Sequence, residues 1–376
     1  MNLKNLIAVV TNNDDDIYCF RKELIEAILS NGYQILICCP DGPKFDLMKN
    51  LEFIHDRYEI DRRGTNVISD LKLLVHYYKV FRKYRPKAIL TYTAKPNVYA
   101  TLAASALNIP TINNVTGFGS VLNESPLKRK LIMGLFRMAY RKSKWIMFQN
   151  ETNMKLAQSM GMVKGKAVLI PGSGVALNRF ELKDYPEGGD GKTGEPIIFN
   201  YIGRILKDKG INDYIEVAKK IKRDFPNCEF NIIGFIEPTE KDYYEPLLES
   251  LQKEGIIIYR GSQKDVRPFI ERAHATIHPS TYGEGMSNVL LETAATGRVI
   301  ITTDNPGCKE TVISRKSGFI YPGGDVDKLI ENIQYFLAMA NDDRRELGLS
   351  GRQHIESKFS RNIVVKEYLK AISSIV

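Results

Sequence analysis

The chain has 376 residues, 43% apolar and 26% charged, with a formal net charge of +9. That length suits two domains of somewhat under about 200 residues each, and no apolar run reaches the roughly 18–20 residues a membrane-spanning helix needs. The basic excess sits in the first half: residues 1–185 hold 27 Lys/Arg against 16 Asp/Glu, and residues 186–376 hold 26 against 28. Such a split fits nucleic acid, an anionic membrane surface or an acidic substrate, and charge alone does not choose among them.

The opening apolar run leads directly into a βα pattern and lacks a small-residue cleavage site, so it reads as a core strand over residues 6–10. A helix over 18–30 and a strand over 34–39 follow, then a helix over 71–84, a strand over 88–92 and a small-residue helix over 98–107. Strands over 111–115 and 145–149 bracket a basic helix over 126–142. The second half repeats the alternation, with strands at 197–202, 229–233, 256–259, 275–278 and 299–302. Helices at 211–225, 243–253, 266–272, 287–296 and 325–338 lie between them. Alternating strands and helices predict parallel sheets covered on both faces. The expected organisation is a first Rossmann-like domain over 1–180, a linker at 181–195 and a second Rossmann-like domain over 196–360, facing across a cleft. A C-terminal helix over 361–376 would pack back on the first domain.

Cys19, Cys38, Cys39, Cys228 and Cys308 have no metal-ligand spacing and read as reduced thiols in a cytoplasmic protein. Residues 186–193 imitate a phosphate-binding loop, but no apolar strand precedes them and no helix follows, so they read as linker. His274 and His278 stand four apart on a strand without a third ligand and read as structural, not as a zinc pair. No metal and no cofactor is expected.

Two segments carry the chemistry. Pro279-Ser-Thr-Tyr-Gly-Glu-Gly-Met-Ser-Asn begins where a buried strand ends and opens a helix near Ser287. A helix N-terminus offers free N–H groups and the positive end of its dipole to a phosphate. Glu284 stands in the loop and Glu292 inside the helix, so two acids reach two parts of one elongated ligand. The second segment, Gly203-Arg-Ile-Leu-Lys-Asp-Lys-Gly, delivers Arg204 and Lys209 from the end of another strand. Arg offers phosphate a bidentate fork and Lys a point charge. Ligands of open α/β sheets sit outside the carboxyl ends of the strands, where both segments fall.

Together these motifs, with residues 115–119 (Val-Thr-Gly-Phe-Gly), 170–175 (Ile-Pro-Gly-Ser-Gly-Val), 303–310 and Ser317-Gly-Phe, resemble the retaining family-4 glycosyltransferases of GT-B fold. The branch they resemble acts in capsule, O-antigen and lipid-linked oligosaccharide synthesis. The resemblance implies Arg204, Lys209 and Glu284 as catalytic residues acting without metal on a nucleotide sugar, UDP-linked in most of that branch. It further implies Asn13, Gly203, Gly234, Ser262, Lys264, Gly285, Met286, Ser287, Asn288 and Glu292 as donor contacts. Asp14, Asp15, Lys95, Thr116 and Gly117 would meet the acceptor, although the three acids Asp14–Asp16 read equally well as solvated. Thr116 stands where many relatives carry His. The implied reaction moves a hexose or N-acetylhexosamine to a polyprenyl-diphosphate-linked saccharide.

The apolar stripes of the basic stretches at 71–87 and 126–145 read equally well as helices packed on a sheet, and their clustered positive charge points to docking on an anionic surface, the inner face of the cytoplasmic membrane. A nucleotide-sugar 2-epimerase of GT-B fold is the alternative, and the Glu284/Glu292 and Arg204/Lys209 loops argue against it. A nucleic-acid binder lacks any supporting motif.

Overall fold

Strands form where apolar runs are buried on both faces. Leu6–Val10 (β1), Ala88–Tyr92 (β4) and Trp145–Phe148 (β6) are buried at every position, as strands sandwiched between helix layers must be. The computed structural model describes residues 5–60, 66–118, 121 and 125–376. Gly119 of the 115–119 motif and the first four residues of the opening run lie outside the described residues.

The chain forms two units, Met1–Gly174 with Arg361–Val376, and Val175–Ser360. In the first, Gln34–Cys38 (β2), Ile54–Asp56 (β3), Thr111–Val115 (β5) and Lys166–Leu169 (β7) complete a parallel sheet ordered β3-β2-β1-β4-β5-β6-β7. In the second, Ile197–Ile202 (β8), Cys228–Ile233 (β9), Ile258–Gly261 (β10), Ala275–His278 (β11), Val299–Thr303 (β12) and Gly318–Tyr321 (β13) form a parallel sheet ordered β10-β9-β8-β11-β12-β13. Each is a Rossmann-like sheet whose strand order reverses once, at β1/β4 and at β8/β11. Connections leave such a point toward opposite sides and open a crevice there.

The structure departs from the sequence reading in places with local causes. The helix expected over 18–30 is two, Asp14–Phe20 and Lys22–Ser30, broken at Arg21. Asn13 caps the first by accepting from the Asp16 N–H at 2.7 Å, and acids at 14–16 complement the positive end of its dipole. Arg21 is buried, its guanidinium 4.1 Å from the centre of the Tyr92 ring and donating to Ser173 Oγ at 3.0 Å. The helix expected from 98 starts at Ala94, with Pro96 in a first turn that tolerates its missing N–H. Residues 181–195 belong to the second unit. There the buried Arg298 donates to the carbonyls of Lys183 and Asp184 at 3.0 and 2.7 Å, and Arg344 to that of Gly189 at 3.0 Å.

The last helix, Arg361–Ser373, belongs to the first unit. Val364, Tyr368, Ala371 and Ile372 enter the core that holds Ile7, Val9 and Tyr92. Arg361 ties its start down, donating to the Gly174 carbonyl at 3.0 and 3.2 Å, the Cys19 carbonyl at 3.0 Å and Glu23 Oε2 at 2.7 Å. Gly174 has φ +66, and a Cβ there would meet the Arg361 backbone. Removing one side of a buried charged network leaves its partners uncompensated, at a cost of about 3 kcal/mol. Arg361→Ala therefore lowers the unfolding free energy by about 3 kcal/mol, read as a fall in the urea midpoint at unchanged slope. An unchanged midpoint would show that apolar contacts alone hold this helix.

Candidate active site

The two segments singled out by sequence follow neighbouring strands. β8 and β11 pair in parallel, Phe199 with Ala275 and Asn200 with Thr276, so their carboxyl ends finish at the same edge. The short turn Lys207–Lys209 follows β8 and ends at Gly210, whose φ is +75. A Cβ at Gly210 would strike the Pro279 carbonyl, so only glycine lets the two loops lie together. The Thr281 N–H then donates to the Asp208 carbonyl at 3.0 Å.

At this junction Lys209 Nζ donates to Glu284 Oε1, both side chains largely buried. His278 Nε2 lies 3.7 Å from the same carboxylate oxygen and shares a hydrogen bond of 3.2 Å with Ser287 Oγ. The Tyr282 ring faces two cations, Lys209 Nζ at 4.7 Å and the Arg204 guanidinium at 5.7 Å from its centre. Arg204 also pairs with Glu237 Oε2 at 3.1 Å.

Burial works to raise the Glu284 carboxyl, but the Lys209 ammonium and the His278 contact outweigh it and hold the group down at about 2. Burial pushes the His278 imidazole below its ordinary value; Glu284 opposes that and Lys209 adds to it. The cluster is therefore an ionised acid beside a neutral imidazole and a cation.

The helix Asn288–Ala295 starts at this point. Ser287 spends its hydroxyl on His278 and makes no cap bond, and its own N–H donates to the Gly307 carbonyl at 2.8 Å. The first-turn N–H groups thus have no side-chain cap, an arrangement suited to an anion. Asn288 Oδ1 and His278 Nδ1 are buried without a hydrogen-bond partner among the described residues. Glu292 is half-buried further along the helix.

Three glycines line the neighbouring strand ends. The Gly203 N–H donates to the Ile233 carbonyl at 3.0 Å and the Gly234 N–H to the Gly261 carbonyl at 2.9 Å. Gly234 has φ +150, and a Cβ would collide with the Gly203 carbonyl. Beyond Gly261, Ser262 and Lys264 are exposed.

In the first unit the candidate residues are placed separately. Asp14–Asp16, read as a loop, form the first turn of a helix. Asp14 is buried and accepts from the Lys44 N–H at 3.0 Å, Asp15 lies 4.0 Å from Lys44 Nζ, and Asp16 accepts from Thr11 Oγ1 at 2.7 Å. Lys95, just after β4, pairs with Asp70 at 2.7 Å. Thr116 is exposed after β5, and Gly117 turns the chain there with φ +124.

Sequence reasoning missed His278 as a member of the site, along with Tyr282 and Glu237. The adjacency of His278 to Pro279, where the motif begins, was the available signal. His274 is structural: one ring nitrogen accepts from the Ile198 N–H at 3.0 Å, the other lies 3.1 Å from the Glu187 carbonyl, and burial pushes the imidazole down to about 4.

Two Rossmann-like parallel-sheet units are the components of the GT-B fold. Residues 7–150 match the family model for glycosyl transferase 4-like proteins and residues 188–354 the model for glycosyl transferases group 1; the chain belongs to the family-4 glycosyltransferases. It is 23% identical over 98% of its length to the N,N'-diacetylbacillosaminyl-diphospho-undecaprenol alpha-1,3-N-acetylgalactosaminyltransferase of Campylobacter jejuni, covering 99% of that protein. It is 24% identical over 81% of its length to the UDP-Gal:alpha-D-GlcNAc-diphosphoundecaprenol alpha-1,3-galactosyltransferase of Escherichia coli, covering 78% of it. Among solved structures, HepE of Anabaena in complex with UDP and glucose superposes with a TM-score of 0.80 at 15% identity, over 98% of this chain and 100% of that one.

Glu284 titrates in the folded chain at about 2, against 4.5 for the free group. A lowered folded pKa adds stability above the unfolded value, and that stability is lost as pH falls through the folded value. The stability gap between wild type and Glu284→Gln is thus full above pH 4.5 and shrinks as pH falls toward 2. Denaturant titrations across that window measure it, and a pH-independent gap would show that Lys209 does not hold the carboxylate.

Proposed function

We propose that this protein is a retaining, metal-independent glycosyltransferase that moves a hexose or N-acetylhexosamine from a UDP-sugar to a polyprenyl-diphosphate-linked saccharide in bacterial surface-glycan synthesis. The observation that carries the donor half is the buried Lys209–Glu284 pair beside Arg204, His278 and an uncapped helix N-terminus. The donor diphosphate competes with Glu284 for Lys209 and draws Arg204 toward itself. The two cations then neutralise charge as the nucleotide leaves, the preorganised stabilisation that lowers such barriers most. Released from Lys209, Glu284 accepts from hydroxyls of the transferred sugar. The N–H groups before and after Ser287 meet sugar and phosphate, Glu292 the ribose, and Ser262 and Lys264 border the base. The Campylobacter and Escherichia relatives, each named for a diphospho-undecaprenol saccharide, support the acceptor class.

The membrane half of this reading rests on the first unit. Among the described residues no helix is long and apolar enough to cross a membrane. The helices Val67–Tyr84 and Pro126–Tyr140 both pack on the helix Ala94–Ala106. Phe81, Met133 and Phe136 turn into the core. Val67, Ile68 and Leu71 remain 78%, 67% and 59% exposed, and Leu127 and Leu131 81% and 66%. Exposed apolar groups among Lys72, Lys79, Arg82, Arg129 and Lys130 suit the headgroup boundary of the anionic cytoplasmic leaflet.

Lys209→Ala and Arg204→Ala each lower turnover by about 10²–10³-fold in folded protein, with wild-type turnover unaffected by excess EDTA. Unchanged turnover in both variants sinks the diphosphate assignment. Product formed without acceptor points to the epimerase instead. On anionic liposomes at low salt the protein floats with the vesicles, and release follows high salt or joint neutralisation of Lys128, Arg129 and Lys130. Failure to float removes the membrane half and leaves the donor half standing.

A further inference from the structure

Glu237 is a buried acid that the donor chemistry above leaves without a task. It follows β9, and its Oε2 accepts from Arg204 Nη1 at 3.1 Å; the acid is shielded from solvent while the Arg204 side chain stays partly exposed. The backbone sets the two in register. β8 and β9 go on pairing past their ends, with Ile205 opposite Ile236 in a parallel bridge. The Ile205 N–H donates to the Phe235 carbonyl at 2.9 Å, and the Glu237 N–H to the Ile205 carbonyl at 3.1 Å. Tyr201 OH donates to the Arg204 carbonyl at 2.8 Å. Pro238 disfavours a helical conformation at the residue before it, and Glu237 has φ −57 and ψ 130. Main-chain bonds therefore fix both ends of the contact.

Stability is a poor reason to bury an acid here, because apolar packing of similar volume holds a fold at least as well as a buried ion pair does. The shape of the guanidinium supplies a better one. Its donors lie in a rigid plane, and two of them on one edge meet two oxygens of a phosphate together. Glu237 occupies Nη1, and among the described residues Nε and Nη2 make no hydrogen bond. The Tyr282 ring centre lies 5.7 Å from the guanidinium carbon. An acid at one corner thus leaves the opposite edge of the fork open. A side chain already held loses little rotamer freedom when its ligand arrives, whereas a loose arginine loses much. Lys209 is different, since an ammonium is a point charge with rotatable donors and has no edge to aim.

We propose that Glu237 is a positioning residue for the donor diphosphate, holding Arg204 by Nη1 so that its Nε–Nη2 edge meets the phosphate; the inference rests on Arg204 binding that diphosphate. The probe is UDP, titrated into the full chain and followed by ligand-observed NMR. Glu237→Gln and Glu237→Ala both remove the charge, and only glutamine keeps an oxygen for Nη1, so their comparison separates aim from electrostatics. Glu237→Ala binds UDP about tenfold more weakly than Glu237→Gln, roughly the worth of one charge-assisted hydrogen bond. In an Arg204→Met background that gap closes, because no fork remains to be aimed. Glu237→Leu fills the space without an acceptor and gives the same comparison if alanine loosens the loop. An equal gap in both backgrounds shows a merely structural acid and overturns the proposal. So does the absence of a gap while Arg204→Met still weakens UDP binding, an outcome that leaves the donor reading standing. If wild type binds UDP no more tightly than Arg204→Met, the donor reading itself fails and the positioning role falls with it.

Discussion

The second unit is organised around one ion pair. Lys209 and Glu284 come from loops 75 residues apart in sequence, yet they meet because β8 and β11 are hydrogen-bonded neighbours at the reversal of the sheet. Burying two charges costs several kcal/mol per ion before their attraction repays it. A stretch of apolar packing would hold the loops together with less penalty. The fold nevertheless keeps such a pair at a strand end, alongside an imidazole nitrogen and an amide oxygen that have no hydrogen-bond partner among the described residues. His278 fits the same logic. Its neutral ring contacts both Glu284 and Ser287, so it aligns the acid without adding a charge to compete with Lys209.

Close backbone approach is the companion constraint. Gly210 against the Pro279 carbonyl, Gly234 against the Gly203 carbonyl, and Gly307 against Glu284 and Gly285 each occupy a place where a methyl group does not fit. These contacts bring the strand-end loops within hydrogen-bonding reach of one another and leave backbone exposed to a ligand.

Much of this was legible because apolar runs and the Gly-Arg and Glu-x7-Glu segments are local signals. Most of the long buried strands lay in apolar runs; β5, which buries Asn113 and Asn114, is an exception. What escaped was decided by contacts distant in sequence. β3 and β7 are short and partly exposed, so no apolar period marks them. The break at Arg21 follows from a guanidinium buried against Tyr92 and Ser173, which no helical pattern reveals. Glu237 gains meaning only when β9 brings its loop to Arg204. Asp14–Asp16 read as a free acidic loop because nothing nearby announced that Asn13 would cap a helix and that Lys44 would supply partners.

The return of the last helix to the first unit has a consequence for biosynthesis. Ile7 and Val9 are made before the whole second unit, and the core around them stays open until Tyr368 and Ile372 emerge. The second unit, continuous from Val175 to Ser360, has its whole sequence available sooner. Domains fold as units during synthesis, so here the later-encoded unit completes first. The earlier one waits with an apolar groove uncovered, exposed to aggregation and to chaperones, until the helix Arg361–Ser373 has left the ribosome.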